Sequence, residues 1–290
     1  MTAALRFVDL FAGIGGFRLA LEAQGCSCVF TCEIDRFCAK TYAANFRIDH
    51  PIATDIRKVD AKDVPDHDIL VGGFPCPTFS LAGISKLNSL DRPSGFEDKT
   101  RGTLFFEILR ILKEKLPQAF ILENVANLEY HKKGQTFKII RESLEELGYT
   151  VHWKVIDALG WVPQHRDRVF IVGFRQDVDF SWDYLAPNPG RTRLADILEP
   201  HVDPKYCLKD GTWNFLQKHK KDHAEKGNGF GYTIADPERH ARTITARYHK
   251  DGSEILLPTN GNPRKLTPRE ALRLQGFPAE LEGCACVGLG

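Results

Sequence analysis

Short apolar runs that favour extended backbone alternate with helical stretches through the first 175 residues, and this alternation constrains the fold most. Residues 5–11 form a β-rich run, followed by the turn Ala12-Gly13-Ile14-Gly15-Gly16 and a helical stretch to Gln24. Residues 28–32 read as a second strand ending at Glu33, Asp35 is placed to cap a helix running toward Asn45, and a short third strand precedes Asp55. Further strands are expected at 69–73, 119–122, 150–156 and 169–173, with helices at 104–115 and 137–147, the latter stopped by Gly148. Such alternation implies an α/β fold with a doubly wound, mostly parallel sheet that binds ligands at the carboxyl ends of its strands. After Arg175 the pattern breaks. Residues 176–262 are rich in Lys, His, Gly and aromatics, with strand-like runs at 243–246 and 254–257, and read as a smaller, irregular domain. Thr267 and Pro268 then open a helix as N-cap and first helical residue. Its apolar Ala271, Leu272 and Leu274 suggest a return to the large domain. The expected division is therefore 1–175 plus 263–290, with 176–262 between them.

Composition narrows the function classes. The net charge of +1 announces no nucleic-acid partner globally, so any basic surface must be local. No apolar run approaches the roughly 18 residues of a membrane span, and the N-terminus lacks the apolar core of a signal peptide. A cytoplasmic protein without a membrane partner is expected, with its eight cysteines reduced. Cys26, Cys28 and Cys32 lack a CxxC pair and a nearby histidine, so no metal site is expected.

One cysteine stands apart. Cys76 sits between Pro75 and Pro77 directly after a strand and Gly72-Gly73, in a turn whose two proline rings aim the thiol. Glu33, at the end of the second strand, is suited to accept both hydroxyls of a ribose, the glycine turn lets a nucleoside approach the backbone, and Asp55 could read an adenine amino group. Glu123 follows a strand among apolar neighbours, where a carboxyl can be tuned to act as an acid. Arg166 and Arg168, two apart in an extended segment, make a fork for a carbonyl or phosphate oxygen. Taken singly, each has a plainer reading: a tight turn that binds nothing, a loop-capping carboxylate, a salt-bridged strand edge.

Together they resemble one family. Phe11-Ala-Gly-Ile-Gly-Gly, Pro75-Cys76, Glu123-Asn124-Val125, Gln164-x-Arg166-x-Arg168 and Arg264-Lys-Leu-Thr-Pro-Arg-Glu270 through Gln275-Gly-Phe-Pro278 occur in the order seen in DNA (cytosine-5)-methyltransferases, over residues 5–278. The resemblance implies a Rossmann-like methyltransferase domain that uses S-adenosylmethionine and no metal, with a target-recognition domain at 176–262. It implies that Phe11, Gly13, Gly15, Gly16, Glu33, Asp55 and Leu104 bind the cofactor. Cys76 would be the nucleophile, Glu123 would engage cytosine N3 and its amino group, and Arg166 and Arg168 would meet its O2. DNA contacts would come from Ser80, Arg92 and Arg101 in a closing segment and from Arg242, Thr243, Arg247 and Lys250. Residues 227–232 and 242–254 are similar to the Dcm-like subgroup, which methylates a cytosine in CC…GG sites. Further expectations are double-stranded DNA as partner, either a restriction–modification setting with a separately encoded endonuclease or the role of an orphan methylase, a monomer, and a place in the bacterial cytoplasm on the nucleoid.

Two departures stand out. Pro77 replaces the glutamine usual after the catalytic cysteine, and the chain ends at Gly290 without the family's Asn- and Val-rich motif and final helix. A truncated or frame-shifted tail is the expected explanation. Two alternatives stay open: a truncated relative that binds DNA but methylates weakly or not at all, and a tRNA cytosine-5 methyltransferase, against which the 176–262 insertion argues.

Overall fold

The first strand, β1 (Arg6–Leu10), buries Phe7, Val8, Asp9 and Leu10 in succession, as a strand covered on both faces of a sheet must. The computed structural model describes residues 4–75, 104–187, 193–227, 231–250 and 252–281. Six more strands join β1: β2 (Ser27–Cys32), β3 (Ile52–Ala53), β4 (Ile69–Gly73), β5 (Ala119–Val125), β6 (Thr150–Asp157) and β7 (Asp167–Phe174). Their order is β3-β2-β1-β4-β5-β7-β6. Pairing is parallel from β3 through β5, whereas β7 runs antiparallel to β5. The order reverses between β1 and β4, where Leu10 pairs with Gly72, and an open α/β sheet places its ligand crevice at such a reversal. The expected doubly wound, mostly parallel sheet is thus present.

Among the described residues four helices connect these strands: α1 (Gly16–Glu22), α2 (Arg36–Asn45), α3 (Leu104–Lys115) and α4 (Gln135–Glu146). Asp35 caps α2, its carboxylate accepting the Phe37 and Cys38 amides at 2.8 and 3.0 Å. Helix α3 buries Phe105, Ile108, Leu109, Ile111 and Leu112, a stripe at helical spacing that packs with Leu70, Phe120 and Leu122 of the sheet. Strands β5 and β7 run more than one residue beyond the spans expected from the sequence. Strand β5 continues through Val125, and β7 starts at Asp167, so Glu123 pairs with Phe170 and Val125 with Arg168 as ladder residues. The ladder carries these polar side chains at the strand ends, where apolar patterning no longer marks the element.

The chain divides into two compact units, residues 1–155 with 168–181 and residues 156–167 with 182–290. The second has its own core of Leu194, Ile197, Ala241, Ile244, Tyr248, Ile255, Leu257, Leu266, Ala271 and Leu274. Its last helix, α6 (Pro268–Leu274), starts with a capping box: Thr267 Oγ1 accepts the Glu270 amide at 3.1 Å and Glu270 accepts the Thr267 amide at 2.8 Å. The expected start of α6 is therefore matched, and its apolar face packs into this second core. The runs at 243–246 and 254–257 form no strands, and only isolated bridges join Ile234 to Leu256 and Leu257 to Arg264. A 16-residue helix, α5 (Asp210–Glu225), was not anticipated. It buries no residue, so it carries no apolar stripe from which a helix could be read.

Candidate functional site

At the carboxyl end of β1 the chain turns through left-handed backbone. Phe11, Gly13 and Gly15 have φ of 57°, 55° and 93°, and the Gly15 amide closes on the Ala12 carbonyl at 2.9 Å. At Gly15 only glycine fits: a Cβ there would lie 2.2 Å from the Phe46 ring. Glu33, at the end of β2, is tied to this turn. Its Oε2 accepts the Gly13 amide and its Oε1 the Asp35 amide, both at 2.7 Å. A carboxylate fixed at two backbone amides beside a glycine turn fits the ribose hydroxyls of an adenosyl ligand, with lone pairs still available. Asp55 follows β3 and is engaged by Arg57, whose Nε and Nη2 each donate at 2.8 Å. That ion pair, chiefly through its hydrogen bonds, holds the Asp55 carboxyl below the usual carboxylate range. Gly16 is the first residue of α1 and the half-buried Leu104 the first of α3.

A second group lies at the ends of β4 and β5. Gly73 pairs with Glu123, and a Cβ at Gly73 would lie 3.1 Å from Glu123 Oε2, so the carboxylate rests against the backbone there. Arg168 Nε sits 2.7 Å from Glu123 Oε1, an ion pair with both side chains largely shielded from water. Asn124, which the sequence reading included in a motif without assigning it work, is 2% exposed. Its Nδ2 donates to the Phe74 carbonyl at 2.7 Å and its Oδ1 accepts the Val125 amide at 2.9 Å. Asn124 thereby fastens the chain two residues before Cys76. Cys76 itself lies outside the described residues, as do Ser80, Arg92 and Arg101.

The other candidates belong to the second unit. Arg166 donates its backbone amide to Asp157 Oδ1 at 2.9 Å, and its Nη1 reaches the Ile244 carbonyl at 3.4 Å. Asp157 Oδ2 meets His165 Nδ1 at 2.5 Å. Burial pushes the Asp157 carboxyl up, but hydrogen bonds from the Arg166 amide, His165 and the Leu159 amide hold it below the usual range. Gln164, fully buried, is the second residue whose work was missed. It donates to the Leu274 carbonyl at 3.0 Å and accepts the Ile244 amide at 2.8 Å, tying three segments together. The 241–250 segment buries Ala241, Ile244 and Tyr248 and leaves Arg242, Arg247 and Lys250 exposed. Thr243 Oγ1 donates to the His165 carbonyl at 2.5 Å. Among the described residues no cluster of three or more His, Cys, Asp or Glu could hold a metal.

Comparison with known proteins decides the family. The model for C-5 cytosine-specific DNA methylases matches residues 5–282. The chain belongs to the C-5 cytosine-specific DNA methylase family. The type II methyltransferase M1.ScrFI of Lactococcus lactis subsp. cremoris is 52% identical over 284 residues, covering 96% of this chain and 70% of that protein. A DNA-cytosine methyltransferase of Escherichia coli (strain K12) is 41% identical over 330 residues, covering 95% of this chain and 70% of that protein. Among solved structures, the Dnmt2 methyltransferase of S. pombe superposes with a TM-score of 0.75 at 22% identity, covering 98% of this chain and 93% of that one, which speaks for the methyltransferase fold. This methylase is thus a cytosine-5 methyltransferase by family, with the seven-stranded sheet that its fold implies.

Proposed function

We propose that the chain methylates cytosine C5 in duplex DNA by transient covalent attack of Cys76 on C6, with Glu123 and Arg168 holding the base. The observation that carries this reading is the Glu123–Arg168 ion pair at 2.7 Å, set against Gly73 in the stretch of chain that leads to Cys76. Cytosine C5 is a poor nucleophile. Addition of a thiolate at C6 makes C5 enamine-like and able to accept a methyl group, after which loss of the C5 proton and departure of the thiol restore the ring. A carboxyl at Glu123 meets N3 and the amino group, drawing electron density from the ring as the thiolate adds. Arg168 orients that carboxyl and, with Arg166, is suited to the charge developing at O2. The target atom is stacked inside the duplex, so the base must be flipped out to reach Cys76.

S-adenosylmethionine supplies the electrophilic methyl group when bound. In this reading Phe11, Gly13, Gly15 and Gly16 shape its site, Glu33 binds its ribose, Asp55 meets its adenine, and Leu104 borders its methionine end. Residues 1–175 with 263–290 serve catalysis and 176–262 serve target recognition, a division by role. Arg242, Thr243, Arg247 and Lys250 would contact the duplex, as would Ser80, Arg92 and Arg101. The names of the relatives favour a type II restriction–modification setting, and the resemblance of the sequences 227–232 and 242–254 to the Dcm-like subgroup favours a CC…GG-type site. A separately encoded endonuclease, a monomeric enzyme and a cytoplasmic location complete the proposal.

The test is methyl transfer to duplex DNA and to tRNA side by side, after titration with S-adenosylmethionine. Transfer to DNA alone is expected. Transfer to tRNA alone would overturn the choice of substrate, and no cofactor binding would overturn the activity.

A further inference from the structure

Beneath the glycine turn lies a set of buried polar side chains that the proposed chemistry does not use. Asp9, on β1, is fully buried, and its Oδ1 has no hydrogen-bond partner among the described residues. Its Oδ2 lies 3.3 Å from the hydroxyl of Tyr42, also fully buried. That hydroxyl is 3.1 Å from Thr31 Oγ1, which is 3.0 Å from His50 Nε2, and His50 Nδ1 meets the exposed Asp49 at 2.9 Å. The chain of contacts therefore runs from the surface to a carboxyl under the turn.

Arg18 of α1, 4% exposed, crosses this chain. It donates to the Tyr42 hydroxyl at 3.4 Å, to Glu22 at 2.6 Å and to the Arg47 carbonyl at 2.7 Å. Its guanidinium stacks on the rings of Tyr42 and Phe46 at 5.3 and 5.0 Å. Phe46 in turn occupies the space beside Gly15. The groups that face Asp9 are Arg18 from α1, Tyr42 from α2, and Cys28, Thr31 and Glu33 from β2 and its end. Of these Arg18 and Glu33 carry charge, and burial keeps the Cys28 thiol protonated.

We propose that Asp9 is a positioning residue of the adenosyl site, sharing a proton with His50 through the hydroxyls of Tyr42 and Thr31. The proposal rests on reading the glycine turn and Glu33 as that site. In one arrangement Asp9 Oδ2–H donates to Tyr42, Tyr42 to Thr31 and Thr31 to His50 Nε2, with the ring proton of His50 on Nδ1 toward Asp49. Moving each proton one place along breaks the O–H bonds of Asp9, Tyr42 and Thr31. It forms new ones on Tyr42 and Thr31 and an N–H bond on His50, whose ring then passes one proton to solvent beside the exposed Asp49. The chain of contacts loses one proton in all as pH rises, and Asp9 is left a carboxylate.

The first arrangement leaves Glu33 as the carboxylate charge at the turn and Arg18 free to hold Tyr42, Phe46 and Arg47. An Asp9 carboxylate repels Glu33 and draws Arg18 toward itself, which loosens Phe46 against Gly15. Burial pushes the Asp9 carboxyl up to about 7 and Glu33 adds to the rise, while the Tyr42 hydrogen bond and Arg18 oppose it. The switch therefore falls near neutrality: the turn is held below that pH and relaxes above it.

The test measures S-adenosylhomocysteine affinity, since that ligand lacks the sulfonium charge an Asp9 carboxylate would attract. Affinity is expected to fall about tenfold from about pH 6 to about pH 8.5, the most that a ligand moving the Asp9 midpoint by about one pH unit can produce. Asp9→Asn, whose amide donates to Tyr42 as the neutral acid does, should bind with little pH dependence. A flat wild-type profile, or an Asp9→Asn profile that tracks the wild type, would overturn the proposal. Ligand-free protein gives a second readout: an infrared protonated-carboxyl band that fades as pH rises and is missing in Asp9→Asn. A band unchanged by the substitution refutes the shared proton. Absence of binding at every pH refutes the adenosyl site itself, and the infrared band is independent of that outcome.

Discussion

Replacing Asn124 with alanine removes the tie between the end of β5 and the chain entering Cys76. Two hydrogen bonds are lost, to the Phe74 carbonyl at 2.7 Å and from the Val125 amide at 2.9 Å, at a residue only 2% exposed. A buried hydrogen bond contributes about 1 kcal/mol, and the orphaned Phe74 carbonyl adds its desolvation cost, so roughly 3 kcal/mol of stability should go. For a chain of this size that corresponds to a Tm lower by about 6–12 °C. The effect on chemistry should exceed the effect on folding, because a nucleophile displaced by about 1 Å can lose on the order of a hundredfold in rate. The assay pairs thermal unfolding with single-turnover methyl transfer to duplex DNA at a temperature where both proteins are folded. Asn124→Asp is the companion variant, since it sets a carboxylate oxygen against the Phe74 carbonyl in place of a donor. A variant that loses the stability but keeps its rate within about twofold would show that Asn124 supports the fold without aiming Cys76.

Other perturbations probe separate parts of the structure. Arg264→Ala strands the fully buried Glu270, which Arg264 meets at 2.7 and 2.8 Å, and should cost about 3–5 kcal/mol in chemical denaturation; a loss under about 1 kcal/mol would mean that water replaces the partner. Burial, with Glu33 and Asp55 nearby, pushes the Cys32 thiol up to about 12. The folded protein then keeps a proton that the unfolded chain releases, so this contribution is fully present below the ordinary thiol pKa of about 8.5 and is lost as pH rises beyond it. Cys32→Ala should flatten that alkaline decline, measured by urea denaturation across pH, and an unchanged slope would assign it elsewhere. Arg247→Ala and Lys250→Ala should each lower the salt slope of DNA binding by about 1 if they meet phosphates, and an unchanged slope would remove them from the interface.

The large sheet was legible because its strands are buried on both faces and its helices carry stripes, patterns set by local periodicity. Asp35 as cap of α2 and Thr267 as cap of α6 were legible for a related reason, since a cap is a short-range signal. The ends of β5 and β7 were not, because Glu123 and Arg168 are polar side chains held in the ladder by pairing between distant segments. Helix α5 left no signal because it buries nothing. Glu33 could be picked out as a carboxylate at a strand end, but its grip on the Gly13 amide depends on the left-handed turn. Asn124, Gln164 and Asp9 escaped as working residues because their roles lie in hydrogen bonds across 50 to 110 residues or in burial itself. No spacing along the chain displays those.

Bisulfite sequencing of DNA from cells that express this chain, set beside DNA from cells expressing its Cys76→Ser variant, tests the central claim most directly. Protection of one cytosine in a recurring site is expected with the parent chain and should vanish with the variant, because the serine hydroxyl is a poor nucleophile toward C6. Protection that persists in Cys76→Ser, or its absence from the parent when S-adenosylmethionine binds, would contradict a covalent cytosine-5 methylation carried by Cys76.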